Sequence, residues 1–126
     1  MASIDPHLPE SENIGSTMAT YEEFTKIEIR VGTVVRAEAF NRARRPAIKM
    51  WIDFGPLGVL TSSAQITRRY EPGRLVGTQI LGVTNFPPRK IAGFSSQVLV
   101  LGAVPEEGDV VLVRPDREVE PGTRVL

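Results

Sequence analysis

The chain has 126 residues, with 15 Lys/Arg against 15 Asp/Glu, one histidine and no cysteine. That length builds one domain with a buried core and little to spare for a second, and the missing cysteine excludes thiolate zinc sites, redox motifs and cysteine nucleophiles. No apolar run is long enough to cross a membrane and no signal-peptide h-region opens the chain, so a cytoplasmic location without membrane insertion is expected.

Residues 1–19 carry no periodicity and read as a leader, disordered or added in cloning, with Met18 as the natural start; the folded domain is expected over 20–126. The lone histidine, His7, falls in that leader. A folded part without histidine has no Ser-His-Asp catalysis, no imidazole general base and few routes to a transition metal, so no enzyme activity, metal or cofactor is expected.

Thr20-Tyr21-Glu22-Glu23 has the T-x-x-E spacing of a capping box and predicts a short helix to about Lys26. From Ile27 the chain alternates through Ile29, Val31 and Thr33 and runs on to Phe40, a strand too long to stay flat, with Gly32 as its expected bend. Arg42, Arg44 and Arg45 occupy the connection that follows. In the second strand Ile48, Met50, Ile52 and Phe54 point one way and Lys49, Trp51 and Asp53 the other, which puts Trp51 on the outer face. Gly55-Pro56-Leu57-Gly58 closes a hairpin into Val59 to Ser62.

Ser62-Ser63-Ala64-Gln65 has the S-x-x-Q form of a second capping box, predicting a helix from Ser63 to Tyr70 stopped by Pro72-Gly73, with Arg68 and Arg69 at its C-terminal end. Gln79 to Thr84 reads as the fourth strand. Pro87 and Pro88 fix φ and remove donors, so Asn85 to Pro88 forms a rigid loop presenting Arg89 and Lys90, broken by Gly93. Gln97 to Leu101 reads as the fifth strand. Val98 to Leu101 and, after a Gly108-Asp109 turn, Val110 to Val113 are apolar on both faces and need cover on both.

Charge is unevenly spread along these elements: residues 26–90 hold 12 Lys/Arg and 4 Asp/Glu, residues 91–126 hold 3 and 6. A basic middle beside an acidic tail suits a phosphate-bearing or acidic partner on one face. Five strands with a short helix between the third and fourth is the element order of an all-β, five-stranded OB-fold Greek-key barrel with short helices, a fold that often binds nucleic acid.

From about Tyr21 to Leu126 the chain resembles the CsaA family of export-related chaperones, within the tRNA-binding OB-fold superfamily that also includes C-terminal domains of methionyl-tRNA synthetases. The resemblance rests on six blocks: Ile29 to Val34, Arg45 to Lys49, Ile52 to Gly55, Ser62 to Thr67, Asn85 to Phe94, and Val98 to Gly102. Synthetase-appended relatives have Ser-x-Gly-Met where this chain has Ser96-Gln97-Val98-Leu99, and Gln97 stands where CsaA-like chains have Glu.

The resemblance implies a homodimer, joined through extended N- and C-terminal segments, that binds tRNA, unfolded preproteins or both without cofactor or catalysis and assists preprotein export together with the export machinery. The alternative it leaves is a structure-selective tRNA-binding accessory factor in translation. Arg42, Arg44, Arg45, Lys49, Arg89 and Lys90 are the expected phosphate contacts at the barrel mouth. Asn85 and Ser96 are candidate RNA ligands or satisfy turn backbone. Trp51 and Phe86 are candidates for peptide contact or for burial in a dimer interface.

Overall fold

A computed structural model describes residues 17–126, so His7 and most of the expected leader lie outside the described residues. Helix α1 (Tyr21–Thr25) precedes strand β1 (Ile29–Phe40). α1 opens with the expected capping box: the Glu23 amide donates to Thr20 Oγ1 and the Thr20 amide to Glu23 Oε1, and hydrogen bonding from Thr20 holds the Glu23 carboxyl below its ordinary pKa.

β1 is the central strand of the main sheet. Its first half pairs antiparallel with β4 (Gln79–Val83) and its second half with β2 (Ala47–Asp53), which pairs in turn with β3 (Val59–Ala64). The register against β2 shifts between Val34 and Arg36. Val35 is left without a register partner in β2, while Gly32 stays in register with Ile80 of β4. Gly32 instead serves packing. A Cβ there would lie 2.5 Å from Ile52 and 2.7 Å from Phe54, so the missing side chain lets these two core groups lie against the strand.

The expected helix from Ser63 to Tyr70 is absent. Ser62 and Ser63 continue β3, because the groups a cap would use are engaged across the barrel: Ser62 Oγ donates to the Val98 carbonyl at 2.7 Å and the Ser63 amide donates to Ser96 Oγ at 2.9 Å. The helix of this crossover is α2 (Pro72–Leu75), where Pro72 starts the element it was expected to stop; a proline in the first helical turn lacks only a donor that would be unpaired anyway.

The segment 85–113 also differs from its reading as one loop and one strand. Arg89 and Lys90 lie in a strand, β5 (Arg89–Ile91), paired with β6 (Phe94–Ser96) across a two-residue turn in which Ala92 and Gly93 both have positive φ, the pattern of a type I′ hairpin. The expected fifth strand is reduced to β7 (Leu99–Val100), which pairs with β4, and the chain then forms a second hairpin, β8 (Gly102–Glu106) with β9 (Asp109–Leu112). Arg68 and Arg69 brace this hairpin through Glu106 and Asp109 instead of ending a helix. A short C-terminal strand, β10 (Arg124–Val125), pairs with the start of β1.

The main sheet runs β3-β2-β1-β4-β7 and curls until its ends meet. The amides of Gln97 and Val98 both donate to the Thr61 carbonyl, at 2.8 and 3.1 Å, and join β3 to the segment leading into β7. Inside lie Val34, Ile48, Met50, Ile52, Phe54, Ile66, Leu75, Ile80, Val98 and Leu112, all buried, as the period-two pattern of β2 requires. This is an OB-fold barrel. In the run Val98 to Leu101 only Val98 is buried, and Leu99 is 52% exposed; in Val110 to Val113 only Leu112 is buried. The two-sided cover expected for these runs is not supplied by the described residues.

Candidate nucleic-acid interface

A cleft of about 1220 Å³ opens beside β3. Two basic segments, distant in sequence, line it. The first is the β1–β2 connection, where Arg42, Arg44 and Arg45 sit in a turn that Pro46 keeps from continuing as helix. The second is the Pro87-Pro88 segment and the β5–β6 hairpin, which brings Arg89 and Lys90. The exposed ring of Phe86 stands beside them, and Ile66 and Val98 supply buried apolar surface between the two segments.

The electrostatics of the cleft are one-sided. Its lining holds five cations and no carboxylate. All five are exposed, and none has a carboxylate within ion-pair distance among the described residues. Six arginines elsewhere, Arg30, Arg36, Arg68, Arg69, Arg74 and Arg117, pair with Asp or Glu, while Arg124 donates to the carbonyls of Thr25 and Ile27 and Arg114 has no ion pair among the described residues. Five unpaired cations facing one concave surface form a local field that draws a polyanion, and a planar guanidinium matches a phosphate bidentately.

Ser96 joins the cleft through β6, with its hydroxyl oxygen accepting from the Ser63 amide. The other expected site residues are elsewhere. Asn85 is occupied with backbone: its Nδ2 donates to the Lys26 carbonyl at 2.7 Å and its Oδ1 accepts from the Glu28 amide at 2.9 Å, which ties the start of β1 to the end of β4. Lys49 and Trp51 lie on the outer face of β2, as their alternation requires, and do not line the cleft. There Lys49 Nζ stands 4.5 Å from the Phe40 ring centre and 5.0 Å from that of Phe94, while Arg36 covers Trp51 at 4.3 Å.

Gln65 and Leu99, two exposed residues of the cleft, are not among the contacts expected from sequence. Gln65 falls in the capping-box pattern and Leu99 in an apolar strand pattern, and nothing local distinguishes either as a contact. Phe94, which supports the hairpin from below, carries no sequence signal of that role either. Among the described residues no group of three or more His, Cys, Asp or Glu is placed to hold a metal, and no helix is long and apolar enough to cross a membrane.

Residues 29–124 match the family model described as "Putative tRNA binding domain". The chain is similar in structure to the chaperone CsaA of Bacillus anthracis, with 56% identity and a TM-score of 0.84 over 86% of this chain and 99% of that one. It is also similar to the CsaA chaperone protein of Picrophilus torridus, with 45% identity, a TM-score of 0.80 and coverage of 86% and 100%. A MetRS-related protein of Pyrococcus horikoshii shares 33% identity with a TM-score of 0.77, over 86% of this chain and 98% of that one. Among curated relatives, the methionine–tRNA ligase of Methanococcoides burtonii is 33% identical over 106 residues, which is 84% of this chain and 15% of the ligase. The chain spans about 15% of the length of the ligases it matches.

Proposed function

Because the chain belongs to the tRNA-binding domain family, in its CsaA-type branch, we propose that it is a non-catalytic binding protein whose basic cleft takes the sugar-phosphate backbone of tRNA. The observation that carries this reading is the lining of five unpaired cations with no carboxylate. Each phosphate neutralised releases condensed counterions, so binding is driven largely by charge and weakens steeply as salt rises. Arg42, Arg44 and Arg45 reach the strand from one segment and Arg89 and Lys90 from the other, while Gln65 and Ser96 offer polar groups between them. No cofactor enters the reading.

A second reading, an export-related chaperone that holds unfolded preproteins and delivers them to export machinery, is favoured by a separate observation. Phe86 and Leu99 are 44% and 52% exposed in the same cleft, apolar area that phosphate binding does not use. The similarity to chaperones named CsaA supports it. In both readings the working form is a cytoplasmic homodimer. Exposed Tyr21 and Leu126 near the two ends of the described chain, with Val104, support an interface built from the terminal segments and β8. A translation accessory factor selective for tRNA shape uses the same cleft and dimer.

The deciding experiment titrates the purified protein with bulk tRNA and with an unfolded preprotein, each at several salt concentrations. Tight tRNA binding with a steep salt slope supports the first reading. Salt-insensitive capture of the preprotein, beside weak tRNA binding, supports the second.

A further inference from the structure

The outer face of β1 and β2 carries a closed group of six side chains whose use the cleft alone does not explain. Glu38 receives Arg36 at 2.8 Å and lies 4.0 Å from Lys49 Nζ. Arg36 then covers the Trp51 ring, and Lys49 stands over the rings of Phe40 and Phe94. Phe94 closes the group with edge-on contacts to Phe40 and Trp51, at centroid distances of 5.6 and 5.7 Å. One carboxylate thus holds two cations, and each cation caps aromatic rings that touch the same phenylalanine.

Phe94 is the first residue of β6, and β6 carries the partner strand of the basic hairpin: Arg89 is in register with Ser96 and Lys90 with Ser95. The same strand is fixed from its other end by β3, where Thr61 Oγ1 donates to the Ser95 carbonyl at 2.6 Å and the Ser63 amide to Ser96 Oγ. A two-stranded hairpin alone is marginal in water, so its direction depends on what it is docked against. Lys49, with a side chain only 23% exposed, is committed to this dock. Extending it to a phosphate in the cleft would forfeit the ring contacts and Glu38 together.

We propose that Lys49 and Arg36 are positioning residues that act through Phe94 to aim Arg89 and Lys90 into the cleft, and that neither touches the RNA. This rests on the RNA-binding reading of the cleft. Cation–π pairing supplies the hold: a cation over a ring is attracted by the quadrupole, and methionine at either position keeps most of the area while losing that attraction.

The test compares Lys49→Met, Arg36→Met, Lys49→Arg and Arg89→Ala in the full chain. Two measurements are made: amide hydrogen exchange over residues 89–96, and tRNA affinity across a salt series. Lys49→Met and Arg36→Met are expected to speed exchange in the hairpin and to weaken tRNA binding by about three- to tenfold with an unchanged salt slope. Lys49→Arg is expected to restore both, whereas Arg89→Ala makes the slope shallower by about 0.7 with hairpin exchange unchanged. A slope in Lys49→Met as shallow as in Arg89→Ala overturns the proposal by making Lys49 a phosphate contact. Unaltered exchange in Lys49→Met and Arg36→Met also overturns it. If the unsubstituted protein binds no tRNA, the RNA reading fails, and the exchange comparison still decides the dock.

Discussion

Arg69 grips Asp109 with two nitrogens, Nε on Oδ1 and Nη2 on Oδ2, the latter at 2.8 Å, and so fastens the β8–β9 hairpin to the segment that leaves β3. Asp109 is buried, and its carboxyl is held below the ordinary range first by hydrogen bonding from Arg69 and then by the charges of Arg69 and Arg68. Tyr70 adds a third link by accepting from the Leu112 amide at 3.0 Å. The lowered pKa makes this fastening dependent on acid.

A carboxyl whose pKa is lower folded than unfolded contributes stability that is complete above its unfolded value, about 3.9, and is lost as pH falls through the folded value. Urea midpoints measured from pH 6 down to pH 2.5 should therefore fall at the acid end. In Asp109→Asn the midpoint should be lower at neutral pH and the acid limb flatter. An acid limb of equal steepness in both proteins would remove the ion pair from the account.

Gly32→Ala should destabilise the barrel by about 1–3 kcal/mol, because the added methyl meets Ile52 and Phe54 at distances that require the core to shift. Chemical denaturation measures this directly. Glycine in a strand interior is otherwise the poorer residue, so a neutral or stabilising outcome would show that packing at this position is loose.

Ser62→Ala removes the donor to the Val98 carbonyl at the seam between β3 and the segment entering β7. Leaving a buried acceptor unpaired costs about 1–3 kcal/mol. Because the same seam borders the cleft, faster hydrogen exchange at the amides of Gln97 and Val98 should accompany the loss of stability. Exchange confined to other regions would separate the seam from the cleft.

If both side chains meet backbone phosphate rather than base edges, as proposed, Arg44→Glu with Arg45→Glu should weaken all RNAs alike. If about four cations of the cleft engage a single-stranded or loop region, log affinity falls with log salt at a slope of about −3, and the double substitution makes that slope shallower. Filter binding at four salt concentrations suffices. Unchanged affinity would mean that the β1–β2 connection is only a solvated surface.

Phe86→Ala should reduce capture of unfolded polypeptide and leave secondary structure intact, because the ring is exposed and makes none of the ring contacts that hold Phe94. Trp51→Ala should behave differently: it removes the surface under Phe94 and Arg36 and should lower stability and hairpin order together. Sedimentation of the unsubstituted protein at micromolar concentration should show a dimer. A monomer there would leave Val104 and Leu126 exposed without a partner.

The periodic and capping patterns of the chain already determined much of the barrel. Alternation in Ile48 to Phe54 placed the core and the outer face of β2, the T-x-x-E box placed α1, and the cluster of arginines before Pro46 together with Arg89-Lys90 marked the basic surface. These are local properties, set by backbone geometry and the side chains nearest in sequence. Tertiary structure decided the rest through contacts between distant residues. Ser62 and Ser63 read as a helix cap, and only the approach of Val98 and Ser96, more than thirty positions away, gives their groups partners in a strand. Lys49 and Arg89 carry the same charge, but β2 turns Lys49 onto Phe40 and Phe94 while the hairpin brings Arg89 to the cleft. Asn85 meets the backbone of Lys26 and Glu28 only once β4 lies beside β1. Residue type set which interactions each side chain was able to make, and the closure of the barrel chose among them, because a buried polar group takes the partner that the fold brings within reach.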